Sequence, residues 1–243
     1  MFALLLLYPL TGLAAKVGGW QWSGAAGAAS LASIRVSLAL TGVAMLIVVA
    51  AGTPVALYIR RCGRLARMWW QAALLVSILL PALALGILLT LSLRPEGLVG
   101  GALAQLGMAT TNSAAAFVLT QVYVSIGYYV LGALIAFDAI PAGLEQHAAL
   151  LGLPPERVFA RVTLPLARLG LVVALSLAWV RAIGEFGAVV VTAYYPAGMP
   201  VQLWIHLQSF GLPAVMPLLV AFILAALPLP LLLHVLAQRK RHA

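Results

Sequence analysis

Charge is scarce in this chain. Asp, Glu, Lys and Arg make up 8% of its 243 residues, against about 25% in an ordinary soluble domain. So little charge cannot clothe a water-facing surface of this size, and a soluble globular protein is excluded. Acid is scarcer than base: five Asp and Glu stand against fourteen Lys and Arg. The resulting pI of about 10.5 raises nucleic acid as a partner. The bases are few, flank apolar runs and come with no nucleic-acid motif, so that class falls too. One cysteine, Cys62, excludes an internal disulfide. A GxxxxGK[ST] stretch is missing, so the chain cannot hydrolyse ATP itself. His206 and His234 have no ligand-spaced partners, and no metal site is expected. No strong internal repeat appears, which argues against a carrier built from inverted halves and against a channel with a repeated filter.

What is present is apolar. The chain is 64% hydrophobic with mean hydropathy +1.11. A helix of about 20 apolar residues crosses the ~30 Å hydrocarbon core, and only helices or closed barrels satisfy their amides there. The runs are long and apolar on every face, whereas barrel strands alternate. The expected fold is therefore all-α, a polytopic helical membrane protein and one domain over residues 1–243. Spans are expected at about 1–15, 31–59, 68–93, 110–137, 164–193 and 213–237. The first has an alternative reading as a signal peptide with GLAA as cleavage site, against which its n-region lacks Lys and Arg. The stretches 16–30, 94–109 and 194–212 read as loops. Thr110, Thr111, Asn112 and Ser113 form a capping cluster at the start of the fourth span. Trp20, Trp22, Trp69, Trp70, Tyr194, Tyr195 and Trp204 fit an interfacial belt facing membrane lipid.

Base distribution sets the orientation. Alternate loops carry Arg60, Arg61, Arg64 and Arg67, then Arg157, Arg161 and Arg168, then Arg239, Lys240 and Arg241. The opposite set has only Lys16, Arg35 and Arg94. The positive-inside rule places the richer set in the cytoplasm. Both termini then lie inside (N-in/C-in), as six spans require.

Residues 138–163 are a polar island on that cytoplasmic side. Asp138 can cap a first short helix with Pro141 in its opening turn. Glu145, Ala148, Ala149 and Gly152 recur at spacings of three and four, giving a slim face, and Gly152 ends the helix. Pro154 and Pro155 open a second helix with Glu156 in its first turn. Val158, Phe159 and Val162 stripe it, and Pro165 marks entry to the fifth span. A slim helix on an exposed loop suits a groove in another protein.

The spacing within the island resembles the EAA loop of ABC-transporter inner-membrane permeases. That pattern is Glu-Ala-Ala, three residues, Gly, nine residues, Ile-x-Leu-Pro. Here Gly152 is followed by nine residues and then Val162, Thr163, Leu164 and Pro165. The triplet reads Gln146, His147 and Ala148, with Glu145 one place earlier taking the glutamate role. His147 departs from the small residue of the pattern. A second stretch, WVRAIGEFGAVVVTAYY from Trp179 to Tyr195 with Phe210, Gly211 and Leu212 beyond, is similar to permeases for molybdate, tungstate and sulfate. It looks most like the archaeal-type molybdate/tungstate permeases. The third span departs from them by lacking a polar His-Ser pair.

The resemblance implies the type I importer permease fold in a prokaryotic cell membrane. It implies a homodimer with a second permease copy, two cytoplasmic ATPase subunits and an extracytoplasmic substrate-binding protein. ATP and Mg would bind on the ATPase, and no cofactor on this chain. The coupling loop would comprise Glu145, Gln146, His147, Ala148, Gly152, Arg157, Val162, Leu164 and Pro165. Sulfate or another small anion is the alternative passenger. A membrane channel or enzyme working without ATP is the other class left open.

Two charges lie within the fifth span, Arg181 and Glu185, at helical spacing. A mid-membrane charge costs at least ~2.5–3.5 kcal/mol, so such groups pair or face water. Arg before Glu is the less favourable order for a helical pair, so help from another helix or the second subunit is expected. The pair either lines the pathway or ties helices together. Thr110 and Asn112 stand at a helix start, where partial positive charge suits an anion. Gly184, Gly187 and Ala188 allow close helix approach.

Overall fold

The computed structural model describes residues 8, 11, 24–105, 107 and 109–227. Apart from residues 8 and 11, the expected first span at 1–15 lies outside them, as do Lys16, Trp20, Trp22, residues 228–237 of the sixth, His234 and the basic run Arg239, Lys240 and Arg241. The described residues contain helices and no strand.

The first, α1, runs Gly24–Arg61. Its 38 residues span about 57 Å at 1.5 Å each, so it outreaches the hydrocarbon core. It starts earlier than expected, inside the stretch read as a loop at 16–30. The Gly, Ala and Ser residues there do not break it. Ser30 and Ser33 are buried and fold their hydroxyls onto Ala26 and Ser30 carbonyls, at 2.9 and 2.8 Å.

The expected span at 68–93 is bent. Helices α2 (Arg64–Leu79) and α3 (Ala82–Leu93) meet at 107° across Leu80 and Pro81. Pro81 has no N–H to give and its ring crowds the preceding turn, while Leu80 is pushed to extended geometry at ψ 129°. The stretch 94–109 holds a short α4, Leu98–Gln105. Next comes α5, Ala114–Asp138, starting later than the expected 110. Ser113 is its cap, accepting from the Ala116 N–H at 3.1 Å.

The island forms α6 (Ala142–Leu150) and α7 (Pro155–Val158). A π-helical turn, Phe159–Thr163, joins α7 to α8, Leu164–Ile183. Pro165 does not separate the island from the span. The Leu164 N–H reaches back to Phe159 O, and this wider turn absorbs the donor that Pro165 lacks. The expected fifth span to residue 193 is broken: α8 stops at Ile183 and one turn, α9, covers Val189–Thr192. The stretch 194–212 holds α10, Met199–Phe210. Last is α11, Leu212–Ala226.

Three described helices are long and apolar enough to cross a membrane, or four if the bent α2–α3 pair counts as one span. Their core is α1, α5 and α8, built on Ala44, Val48, Ile59, Val130, Ala133, Phe137, Ala174 and Ala178. In lipid the hydrophobic effect does not drive helices together, so contact comes from close packing of small residues. Gly132 lies on Ala174, and Gly170 on Ala136, along the α5–α8 seam.

Candidate functional site

The island's charges are gathered at one end of the bundle. Arg60, at the end of α1, donates to Glu145 at 2.9 Å. Arg67, in the first turns of α2, pairs with Asp138 at the end of α5. The basic loop and the island thus share one face, as the charge pattern requires.

Glu145 takes a second bond at the same oxygen, from Thr163 Oγ1 at 2.6 Å. Burial pushes its pKa up, but the bonds from Arg60 and Thr163 and the charges of Arg60 and Arg61 outweigh that. The carboxyl is held below its ordinary value. A cavity of about 440 Å³ lies beside this cluster, bounded by Leu57, Ala149, Leu153, Phe159 and Thr163.

Helix α6 ends by a Schellman closure. Leu153 N–H reaches Ala148 O at 3.3 Å, and Gly152 N–H reaches Ala149 O at 2.9 Å. Gly152 has φ +83°, a left-handed geometry that a Cβ would strain. Closure presents two residues the spacing argument passed over: Leu150 and Leu151 are 84% and 85% exposed. Their signal was adjacent leucines just before the helix-ending glycine. The slim face does not point outward as a whole: Ala148 is buried and Glu145 faces the bundle. Gln146, His147 and Arg157 are exposed, and His147 Nδ1 lies 2.5 Å from Gly143 O. Val162 is half-buried, and Leu164 and Pro165 are exposed.

The second polar cluster lies at the α8–α9 break. Arg181 is in the last turn of α8, and Glu185 lies just past its end. They form an ion pair in which the Glu185 side chain is 2% exposed. The other Glu185 oxygen accepts from the Ala188 N–H at 2.7 Å, at the start of α9. Glu185 thus takes one bond from α8 and one from the start of α9. Helix α5 holds the break from the side. Gln121 Nε2 donates to Ala182 O at 3.0 Å, and Thr120 and Thr192 hydroxyls meet at 2.8 Å. These residues were not singled out in the sequence; polar side chains inside an apolar span were the available signal. Gly187 packs on Ala82, and Ala188 on Gly86.

Asn112 and Thr110 are not beside Arg181 in any hydrogen bond. Asn112 tethers the far side of the break: its N–H donates to Thr192 O at 2.9 Å and its Oδ1 accepts from Tyr195 N–H at 2.7 Å. Thr110 is buried. His206 is buried with neither ring nitrogen bonded. Among the described residues no three His, Cys, Asp or Glu side chains gather as a metal site would need.

A profile of the family described as binding-protein-dependent transport system inner membrane component matches residues 49–242. The probable molybdenum ABC transporter permease protein of Haloferax volcanii is 37% identical over 191 residues, 79% of this chain and 70% of that protein. The molybdate/tungstate transport system permease protein WtpB of Pyrococcus furiosus is 29% identical over 211 residues, 87% of this chain and 80% of that protein. Among solved structures, a bacterial ABC transporter involved in import of the acidic polysaccharide alginate superposes with TM-score 0.72. It shares 17% identity and covers 98% of this chain and 91% of its own. At that identity the likeness is one of fold.

Proposed function

Because the chain belongs to the family of binding-protein-dependent transport system inner membrane components, we propose that it forms the membrane pathway for molybdate or tungstate, with sulfate as second choice. It is a multi-pass membrane protein and the permease subunit of an ABC importer, not an enzyme. Two copies enclose the pathway, with six spans each and both termini in the cytoplasm. Residues 138–163 face the cytoplasm and dock on two ATPase subunits that bind ATP and Mg. A substrate-binding protein delivers the anion on the opposite face.

The observation that carries the coupling role is the exposed leucine pair at the close of α6, Leu150 its last residue and Leu151 its cap, on the segment whose Glu145 meets Arg60. An exposed apolar knob on a rigid, closed helix end fits a groove in a partner, and the bundle has no need of it for its own packing. Arg181 suits the pathway: it is 27% exposed while its partner is shut in. Pairing with Glu185 tempers its attraction for a dianion, so that the anion passes rather than stays.

The test is purification from membranes with the companion ATPase, followed by uptake of labelled molybdate and tungstate into vesicles with sulfate as competitor. ATP-dependent uptake blocked by the unlabelled metal oxyanions is the expected result. A chain that purifies without an ATPase, or that passes the anion without ATP, would overturn the assignment.

A further inference from the structure

Three elements meet at one carboxylate. Glu145 on α6 accepts from Arg60 at the end of α1 and from Thr163 at the root of α8. The Arg60 and Glu145 side chains are only 17% and 25% exposed. Beside them Leu57 of α1 and Ala149 of α6 line the 440 Å³ cavity, so apolar surfaces of the two helices face a gap there. Among the described hydrogen bonds and ion pairs, Arg60–Glu145 is the contact that joins α6 to α1. Charge-assisted bonds are short and directional, and an ion pair across a gap transmits displacement where loose apolar walls would not.

We propose that Glu145 is a positioning residue that acts inward: with Arg60 and Thr163 it forms a strut carrying displacement of α6 into α1 and the root of α8. Outward contact with the ATPase then belongs to Leu150 and Leu151. The inference rests on the reading of residues 138–163 as the ATPase-coupling loop, and it moves the acidic residue of that loop from the docking face to the transmission path. A glutamate that reached outward would abandon Arg60, leaving a part-buried guanidinium without its carboxylate. Helix α1 packs on α5 through Ala44, Val48 and Val130, so a shift of its end is felt in the core.

The experiment compares wild type, Arg60→Gln, Glu145→Gln and the reversed pair Arg60→Glu/Glu145→Arg in the complete transporter. Two quantities are read: capture of the ATPase, and molybdate taken up per ATP hydrolysed. Both single variants are expected to keep capture and to lower uptake per ATP by about fivefold or more. Reversal is expected to recover most of that loss, with Arg61, whose charge also acts at this site, holding it short of complete. Loss of capture in Glu145→Gln would show that the carboxylate touches the ATPase, and would overturn the strut. So would a reversed pair no better than the single variants. A merely structural pair would lower yield and melting temperature but leave uptake per ATP unchanged in the complexes that survive. Failure of the coupling-loop reading itself appears separately, as a wild-type chain that captures no ATPase.

Discussion

Gly132 and Ala174 form one of two close contacts on the α5–α8 seam, Gly170 and Ala136 the other. A Cβ placed on Gly132 would sit 2.6 Å from the Ala174 Cβ and 3.1 Å from its Cα. Apolar carbons rest at about 3.5–4.0 Å, so the overlap is roughly 1 Å. Neither atom can swing away, since alanine has no rotamer and its Cβ rides on the backbone. Relief requires the helices to part, and that loosens the Gly170–Ala136 contact on the same seam. Overpacking of this kind costs about 1–3 kcal/mol. Alanine's helix propensity returns about 1 kcal/mol. With a rigid clash the cost belongs at the upper end, and Gly132→Ala is expected to destabilise by about 1–2 kcal/mol. The assay is thermal melting of the detergent-solubilised chain, read by loss of its monodisperse elution peak. Two companions isolate the cause. Gly132→Ala/Ala174→Gly moves the methyl across the seam and should recover most of the loss. Gly42→Ala, where a Cβ would meet nothing within 4 Å, should melt at or above wild type. A Gly132→Ala protein as stable as wild type would refute the close-packing account of this core.

Leu151→Asp puts a charge on an 85% exposed site, so the isolated chain should melt as wild type while ATPase capture falls by about tenfold or more; unchanged capture in a pull-down would remove the leucine knob from the interface. Arg181→Ala leaves the buried Glu185 without its cation, and breaking such a pair costs about 3–5 kcal/mol; Arg181→Ala/Glu185→Ala should therefore melt closer to wild type than the single variant does. Glu145 has a folded pKa below its unfolded one, so its stabilisation is full above the unfolded value of about 4.3 and fades as pH falls through the folded value. The melting difference between wild type and Glu145→Gln should thus be flat from about pH 8 to about pH 5 and shrink only below about pH 4; a difference that vanished near neutrality would contradict the pairing.

Local chemistry was readable where a local rule governs. The capping cluster Thr110 to Ser113 announced the start of α5, and Gly152 the end of α6. Reading failed where neighbours decide. The Gly-, Ala- and Ser-rich stretch before residue 31 has weak helix signals, yet Ser30 and Ser33 are buried and the helix extends through them. The apolar run beyond Ile183 has no proline until Pro196, yet α8 stops. Gln121 holds the Ala182 carbonyl and Glu185 holds the Ala188 N–H, so the backbone groups freed by the break find partners. Those partners come from a helix far away in sequence and from one side chain's rotamer, neither of which periodicity records.

Composition, run length and base asymmetry by themselves determined that this is a helical membrane protein. The spacing from Glu145 to Pro165 singled out the segment that we propose as the coupling loop. These are sums and intervals along one chain, and they need no partner to be counted. The tertiary structure alone decided which way each group faces: Glu145 toward Arg60 and Thr163, Leu150 and Leu151 toward solvent, Glu185 into a closed turn at the end of α8. Direction depends on what lies across a gap, and only the packing of α1, α5 and α8 brings those neighbours within bonding distance.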